Sequence, residues 1–321
     1  MRMEVPRKTP DDPNWDRKII EKIALEGIAE QRRHRRWGIF FKLLGFAYLG
    51  LVLAYFIDWG DSAERLGDGK KHTALVQLNG VIQAKGDASA ERIMPALQSA
   101  FEDKGTQGVI LRINSPGGSP VQSGIINDEI WRLRGKYPNI PLYVVVEDIC
   151  ASGGYYVAAA ADKIFVDKAS IVGSIGVLMD GFGFTGTMDK LGVERRLLTA
   201  GQNKGFLDPF SPQDANHKEH AQQMLGEIHK QFVDVVRKGR GKRLKETADM
   251  FSGLMWTGSK SIELGLADAY GTVDTVARDM IKAEDIRDYT IKQNIAEKLA
   301  RQFGANMADG AMSALGRFVL Q

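Results

Sequence analysis

The stretch Gly38–Ile57, GIFFKLLGFAYLGLVLAYFI, runs for twenty residues with one charge, Lys42. As a helix rising about 1.5 Å per residue it measures about 30 Å, the thickness of a bilayer's hydrocarbon layer. Its flanks argue for lipid rather than a protein core. Trp37, Tyr55 and Trp59 stand where interfacial aromatic residues belong, and Lys42 lies one turn from the basic end, close enough to snorkel. Arg2, Arg7, Lys8, Arg17, Lys18, Lys22, Arg32, Arg33, Arg35 and Arg36 precede the run, whereas Asp58, Asp61 and Glu64 follow it. The positive-inside rule then predicts a cytoplasmic N-terminus, with everything after Trp59 across the membrane. Gly60–Ser62 is a weak match to a signal-peptide cleavage site, but a basic region longer than thirty residues does not suit a cleaved signal. The expectation is an uncleaved single-span anchor over residues 37–58.

Residues 1–36 read as a basic amphipathic segment, with Trp15, Ile19 and Ile23 on one helical stripe. Such a helix either lies on anionic lipid or is a solvated lead-in. Residues 59–72, rich in Gly, Asp and Lys, read as a linker. Although the chain carries a net charge of +3, its basic residues crowd in front of the anchor; the remainder is close to neutral and gives no reason to expect nucleic acid. Cys150, the only cysteine, makes neither an internal disulfide nor a cysteine-built metal site.

From residue 73 to 285 strand-like and helical stretches alternate. ALVQLNGVI is followed by a helical Ala90–Asp103, GVILRI by a helical Ser119–Arg134, and PLYVVV by the small-residue stretch SGGYYVAAAA and then KIFV. The pattern predicts an α/β domain whose parallel sheet is covered on both faces. Further on, Val193–Thr199 reads as a strand, Pro212–Arg237 as a long helix and WTGSKSIELGLADAYG as a short helix ending at glycine. Residues 286–321 carry no firm signal and are set apart as a C-terminal extension.

Two of the strands end in glycine turns, RINSPGGSP and CASGGYY, the second with Ser152 at its tip. Glycines let successive N–H groups converge on one concavity, and adjacent strand ends of a parallel sheet form a ligand crevice. The pair can supply a nucleophile and donors for an oxyanion, or be merely two tight turns. A phosphate cradle would need Gly-Lys-Ser/Thr, which follows neither turn. A serine nucleophile also needs a base. Of the five histidines, His34 and His72 lie before the domain or at its edge, while His217, His220 and His229 sit on the long polar helix. His217 and His220 could share a metal, but no acidic partner completes a known ligand pattern. Cys150 also stands where a Gly-x-Ser-x-Gly elbow needs glycine. A lysine serves as base once its ammonium is desolvated, away from carboxylates. Lys204, in the glycine-flanked loop LLTAGQNKGFLDPFSP, is either that base or an ordinary loop lysine.

Taken in order, NSPGG, ASGGYYVAAAADKIF, GSIGV, GQNKGFLDPFSP and TGSKSIELGLADAYGTVD resemble the short-form signal peptide peptidase A (protease IV) family of bacteria, over roughly residues 74–273. The resemblance implies a Clp-protease/crotonase-like fold and a serine endopeptidase with a Ser/Lys dyad and no cofactor. Ser152 then becomes the nucleophile, Lys204 its general base, Ser174 the hydroxyl that orients the amine, and Gly118 and Gly153 the oxyanion donors. It further implies an inner-membrane enzyme with its catalytic domain in the periplasm, acting on remnant signal peptides or other extended apolar peptides. Ring- or dome-shaped homo-oligomers are part of the pattern, in which the lysine can come from a neighbouring copy. The chain departs from the family at Cys150, where alanine or glycine is common, and at Gly205 and Phe206, where many members are acidic. An acyl-coenzyme A-binding crotonase-like enzyme, a related membrane peptidase and an inactive scaffold are the competing readings.

Overall fold

The structure, a computed structural model, describes residues 15–56 and 70–291. The N-terminal stretch 1–14, most of the linker and all but the first few residues of the 286–321 extension lie outside them. The chain divides into two compact units. One contains α1 (Trp15–Phe56), a single continuous helix of 42 residues in which the basic segment and the apolar run join without a break. Among the described residues no helix is long and apolar enough to cross a membrane. The last six residues of the apolar run, 52–57, lie outside the described side chains.

The other unit, Gly67–Gln293, is built on an eight-stranded sheet. Its main path has the order β6 (Met255–Thr257), β5 (Ile171–Gly173), β3 (Leu142–Ala151), β2 (Thr106–Ser115), β1 (His72–Asn79) and β8 (Ile286–Asp288). β3 divides its pairing. Its first half bonds to β4 (Lys163–Val166), which continues to β7 (Ala269–Tyr270), and its last residues bond to β5. All pairs are parallel except β5 with β6. β1 to β3 need two covered faces, and their near-continuous runs of valine, leucine and isoleucine supply two apolar surfaces. One surface, with Val76, Leu78, Leu111, Ile113, Val144 and Val146, packs under α2 (Ala90–Glu102), α3 (Pro120–Lys136), α4 (Gly153–Ala158) and α6 (Ala215–Arg240). The other, with Leu75, Ile110, Val145 and Phe165, is closed by Val276, Ala277 and Ile281, which follow the short turn α8 (Val273–Thr275).

Cap chemistry fixes where the helices begin. Ser119 accepts from Gln122 N and Pro120 fills the first turn of α3, where a missing N–H costs nothing. Asp214 accepts from Asn216 N and His217 N, so α6 starts at Ala215 rather than at Pro212.

Further expectations need correction. Val193–Thr199 forms no strand, and Leu198 is 97% exposed in an irregular segment. The small-residue helix stops at Ala158; Ala159–Ala161 leave it as a turn against which α6 packs so closely that a Cβ on Gly239 would lie 1.8 Å from Ala159 O. Residues 286–288, set apart with the extension, bond to β1 as an edge strand. Tyr289 follows it inward, with its hydroxyl 2.7 Å from an Asp103 carboxylate oxygen and 2.9 Å from His72 Nε2. His72 is accordingly a buried structural residue rather than a linker residue.

Candidate active site

β3 ends at Ala151 and α4 begins at Gly153, leaving Ser152 to turn the chain with φ 49° and ψ −123°. A side-chain-bearing residue in that region costs on the order of 1–3 kcal/mol and persists only where neighbours enforce it. Here Ser152 N donates to Gly173 O at 2.8 Å, and Ser152 O accepts from Tyr156 N at 3.0 Å. Tyr155, three residues after Ser152, is fully buried and donates its hydroxyl to Leu266 O at 2.8 Å, which anchors α4.

The second glycine turn fits directly against the first. Gly117 and Gly118 follow β2 with φ 100° and 146°, values that disfavour any side chain. Ile82 N donates to Gly117 O and Ser119 N to Ile82 O, both at 2.8 Å, tying the turn to the segment after β1. A Cβ on Gly117 would lie 2.6 Å from Gly153 N and from Ser152 Cβ. One on Gly153 would lie 3.2 Å from Gly118 N. Among the described residues, neither Gly118 N nor Gly153 N donates a backbone hydrogen bond. Two free donors beside a strained serine can stabilise negative charge on an oxygen bonded to that serine's substrate carbon.

Ser174 follows β5 and also carries a positive φ, 50°, held by its N–H donating to Leu254 O at 2.8 Å. Ser152, Ser174, Gly118 and Gly153 all line one cleft of about 980 Å³. Its walls are largely apolar, with Val121, Ile125, Tyr156, Ile228 and Phe232 among them. The structure therefore gathers four of the five expected site residues.

Lys204 is not among the residues that line the cleft. It is exposed, in a turn where its N–H donates to Gly201 O at 3.1 Å. That turn belongs to a segment, residues 177–214, that makes several contacts within itself. Phe184 stacks on Phe210 with centroids 5.3 Å apart, and Arg195 pairs with Asp208 at 3.0 Å while covering the Phe210 ring. The segment exposes Leu178 (79%), Phe182 (81%) and Leu198 (97%).

No histidine lines the cleft either. His217 and His220 both set their rings against Phe206, and among the described residues no cluster of three or more His, Cys, Asp or Glu could hold a metal ion. Cys150 is wholly buried within β3, where desolvation pushes its thiol up; it fills core and does not narrow the cleft. The sequence reading missed Ser123, whose Oγ donates to Ser119 O at 3.0 Å and would lie 2.5 Å from a Cβ on Gly153. Nothing in its neighbourhood, QSGI, distinguishes it from a helix-face serine.

A serine bent out of ordinary backbone geometry beneath two unpaired N–H groups, at the head of an apolar cleft, defines the equipment of an acyl-transferring serine hydrolase. Residues 135–287 match the model of peptidase family S49. A Brucella melitensis protein named Na(+)/H(+) antiporter NhaA is 44% identical over 202 residues, covering 61% of this chain and 27% of that protein. The chain thus spans about a quarter of the length of that relative, and 28% of the protein of the same name in Brucella abortus. An Enterococcus faecium protein named for the signal peptide peptidase SppA is 30% identical over 238 residues, 71% of this chain and 69% of the relative. The Haemophilus influenzae "Probable protease SohB" is 30% identical over 256 residues, 79% and 70% respectively. The chain belongs to peptidase family S49.

Proposed function

We propose that this chain is a membrane-anchored endopeptidase with a Ser152/Lys204 dyad, of Clp-protease/crotonase-like architecture, that degrades remnant signal peptides after their release from preproteins. The observation that carries the reading is the constellation in the cleft: Ser152 with φ 49°, the unpaired N–H groups of Gly118 and Gly153, and Ser174 beside them. The base comes from another copy of the chain. Lys204 lies on a segment with strongly exposed apolar side chains, a surface suited to burial against a neighbour in a ring- or dome-shaped homo-oligomer.

In the assembled enzyme the uncharged Lys204 amine accepts the Ser152 hydroxyl proton as Oγ bonds to the peptide carbonyl carbon. The carbonyl π electrons move to oxygen, which receives the Gly118 and Gly153 N–H groups. Collapse of the tetrahedral adduct breaks the C–N bond, and the Lys204 ammonium returns the proton to the departing amine. A water molecule, deprotonated by the same amine, then attacks the ester and releases Ser152. Ser174 holds the amine in line.

The apolar run 37–58 anchors the enzyme in the bacterial inner membrane, with residues 1–36 cytoplasmic and the peptidase domain in the periplasm, beside the peptides that processing leaves in the bilayer. Mixing inactive Ser152→Ala with inactive Lys204→Ala protein tests the shared dyad, since each mixed boundary can hold one intact pair. Activity is expected to return; none, in oligomers demonstrated to be mixed, would remove the proposal.

A further inference from the structure

The cleft beside Ser152 holds one charged side chain. Its α3 wall is formed by Val121, Gly124, Ile125 and Asp128, residues spaced to fall on one helix face. Gly124, in the interior of the helix where glycine costs about 1 kcal/mol against alanine, leaves open the space in front of Tyr156, whose hydroxyl would lie 4.0 Å from an added Cβ. Opposite, the Tyr156 and Phe232 rings have centroids 5.1 Å apart. The result is an apolar channel with a carboxylate at its far end.

Asp128 is exposed, and its carboxylate makes no hydrogen bond or ion pair among the described residues. The nearest cation along α3, Arg132, is committed to Glu129 by two bonds of 2.7 Å. The only other ionisable group lining the cleft, Tyr156, is kept protonated first by burial and then by the Asp128 charge. Helical Cα–Cβ bonds tilt toward the N-terminus, so Asp128 shares its helix face with Gly124 and Ile125 in the wall of the cleft that Ser152 also lines. Asp128 stands eight residues beyond Pro120, about 12 Å along the axis. An extended lysine or arginine, met by the aspartate's own side chain, spans a distance of that order.

We propose that Asp128 is a specificity determinant: the cleft takes a side chain with an apolar stem and a cationic head, lysine or arginine, its stem along Ile125 and Tyr156 and its head on the Asp128 carboxylate. The inference rests on the peptidase reading of Ser152 and narrows the substrate class. The preferred peptide is apolar and extended but carries a basic residue next to the bond that is cut.

The test uses the full-chain enzyme and fluorogenic peptides acetylated at the N-terminus, so that a lysine is their only cation. Lysine or norleucine, an uncharged straight-chain counterpart, is placed in turn at each of the four positions around the cut. Wild type is expected to favour lysine at one position, and the preference should shrink as salt rises. Asp128→Asn should lower kcat/KM for that lysine peptide about tenfold, as loss of a partly exposed charge-assisted bond implies, while leaving the norleucine peptide within about twofold. Equal lysine-to-norleucine ratios in wild type and Asp128→Asn at every position overturn the inference, and norleucine turnover in both proteins then leaves the Ser152 reading standing. Absence of turnover of any peptide by wild type overturns both.

Discussion

Gly153→Ala perturbs the oxyanion donors while leaving Ser152, Ser174 and Lys204 in place. The new Cβ would lie 2.5 Å from Ser123 Oγ and 3.2 Å from Gly118 N, where ordinary contact begins at 3.4 Å. Gly153 has no positive φ, and alanine is the better helix former, so the backbone raises no objection. The conflict is steric. Ser123 is wholly buried and holds Ser119 O at 3.0 Å, so moving its oxygen aside sacrifices a bond worth about 1 kcal/mol. The alternative is for the two glycine turns to separate, which pulls Gly118 N–H and Gly153 N–H apart. Losing one oxyanion donor lowers kcat by about 10²–10³. Gly153→Ala is expected to lower kcat by about 10², with KM little changed and the melting temperature within a few degrees of wild type. Ser123→Ala removes the obstructing oxygen, so the double variant Gly153→Ala/Ser123→Ala should recover most of the lost rate, while Ser123→Ala alone costs only its hydrogen bond. Steady-state hydrolysis of a fluorogenic peptide gives the rates, and labelling of Ser152 by an acylating reagent gives an independent measure. Wild-type kcat in Gly153→Ala would refute the geometry, and a double variant as slow as the single one would refute the role of Ser123.

Ser174→Ala should slow turnover by about 10² if its hydroxyl only orients the lysine amine, and an unchanged rate would remove that role. Asp268→Asn should destabilise the domain by about 3–5 kcal/mol, because the wholly buried Arg240 bonds both Asp268 oxygens, at 2.8 and 2.9 Å, and would be left uncompensated. For a domain of this size that is a drop in Tm of about 6–20 °C, measurable by calorimetry. Burial opposes the Asp268 charge, but bonding to Arg240, the Arg240 charge, Ile164 N–H and Arg243 hold its carboxyl below the usual range. Its folded value lies below its unfolded value, so the contribution is complete above about pH 5 and fades as pH falls through the folded value. Denaturation titrations at pH 7 and pH 3 should show the wild-type advantage over Asp268→Asn shrinking in acid.

The fold was legible where one local signal decided the outcome. Buried runs such as GVILRI and PLYVVV have only one use in a chain alternating with amphipathic helices, and they became β2 and β3. Boundaries set by a single cap were read less well, because Asp214 outcompetes Pro212 as a helix start only through the two N–H groups it satisfies. Ile286–Asp288 is three residues long and has no periodicity to read; it is a strand because β1 offers it an edge and Tyr289 then reaches His72 and Asp103. Val193–Thr199 has strand-like composition, yet it pairs with no strand of the sheet. In both cases the partner decided, and partners are not visible in a local window.

The same distinction separates the site residues. Ser152, Gly118 and Gly153 belong to turns whose sequence dictates their shape: a strand end, two glycines and a helix start leave few backbone paths, and the turns interlock within one chain. Lys204 has no such local necessity. Its loop fixes neither the surroundings of its amine nor the serine it meets, and within one chain it does not line the cleft. What the sequence does carry is a set of large apolar residues, Leu178, Phe182, Leu191 and Leu198, on a segment too thin to bury them itself. Covering four such side chains is worth about 1.5–3 kcal/mol each, far more than a loop lysine gains from any contact of its own. In the proposed oligomer, assembly is then driven by the apolar surface while the lysine is merely carried to its serine. If the proposed assembly holds, substituting Phe182, Leu191 and Leu198, none of which lines the cleft, by serine should abolish oligomers and turnover together, even though the Ser152 turn in each chain remains intact.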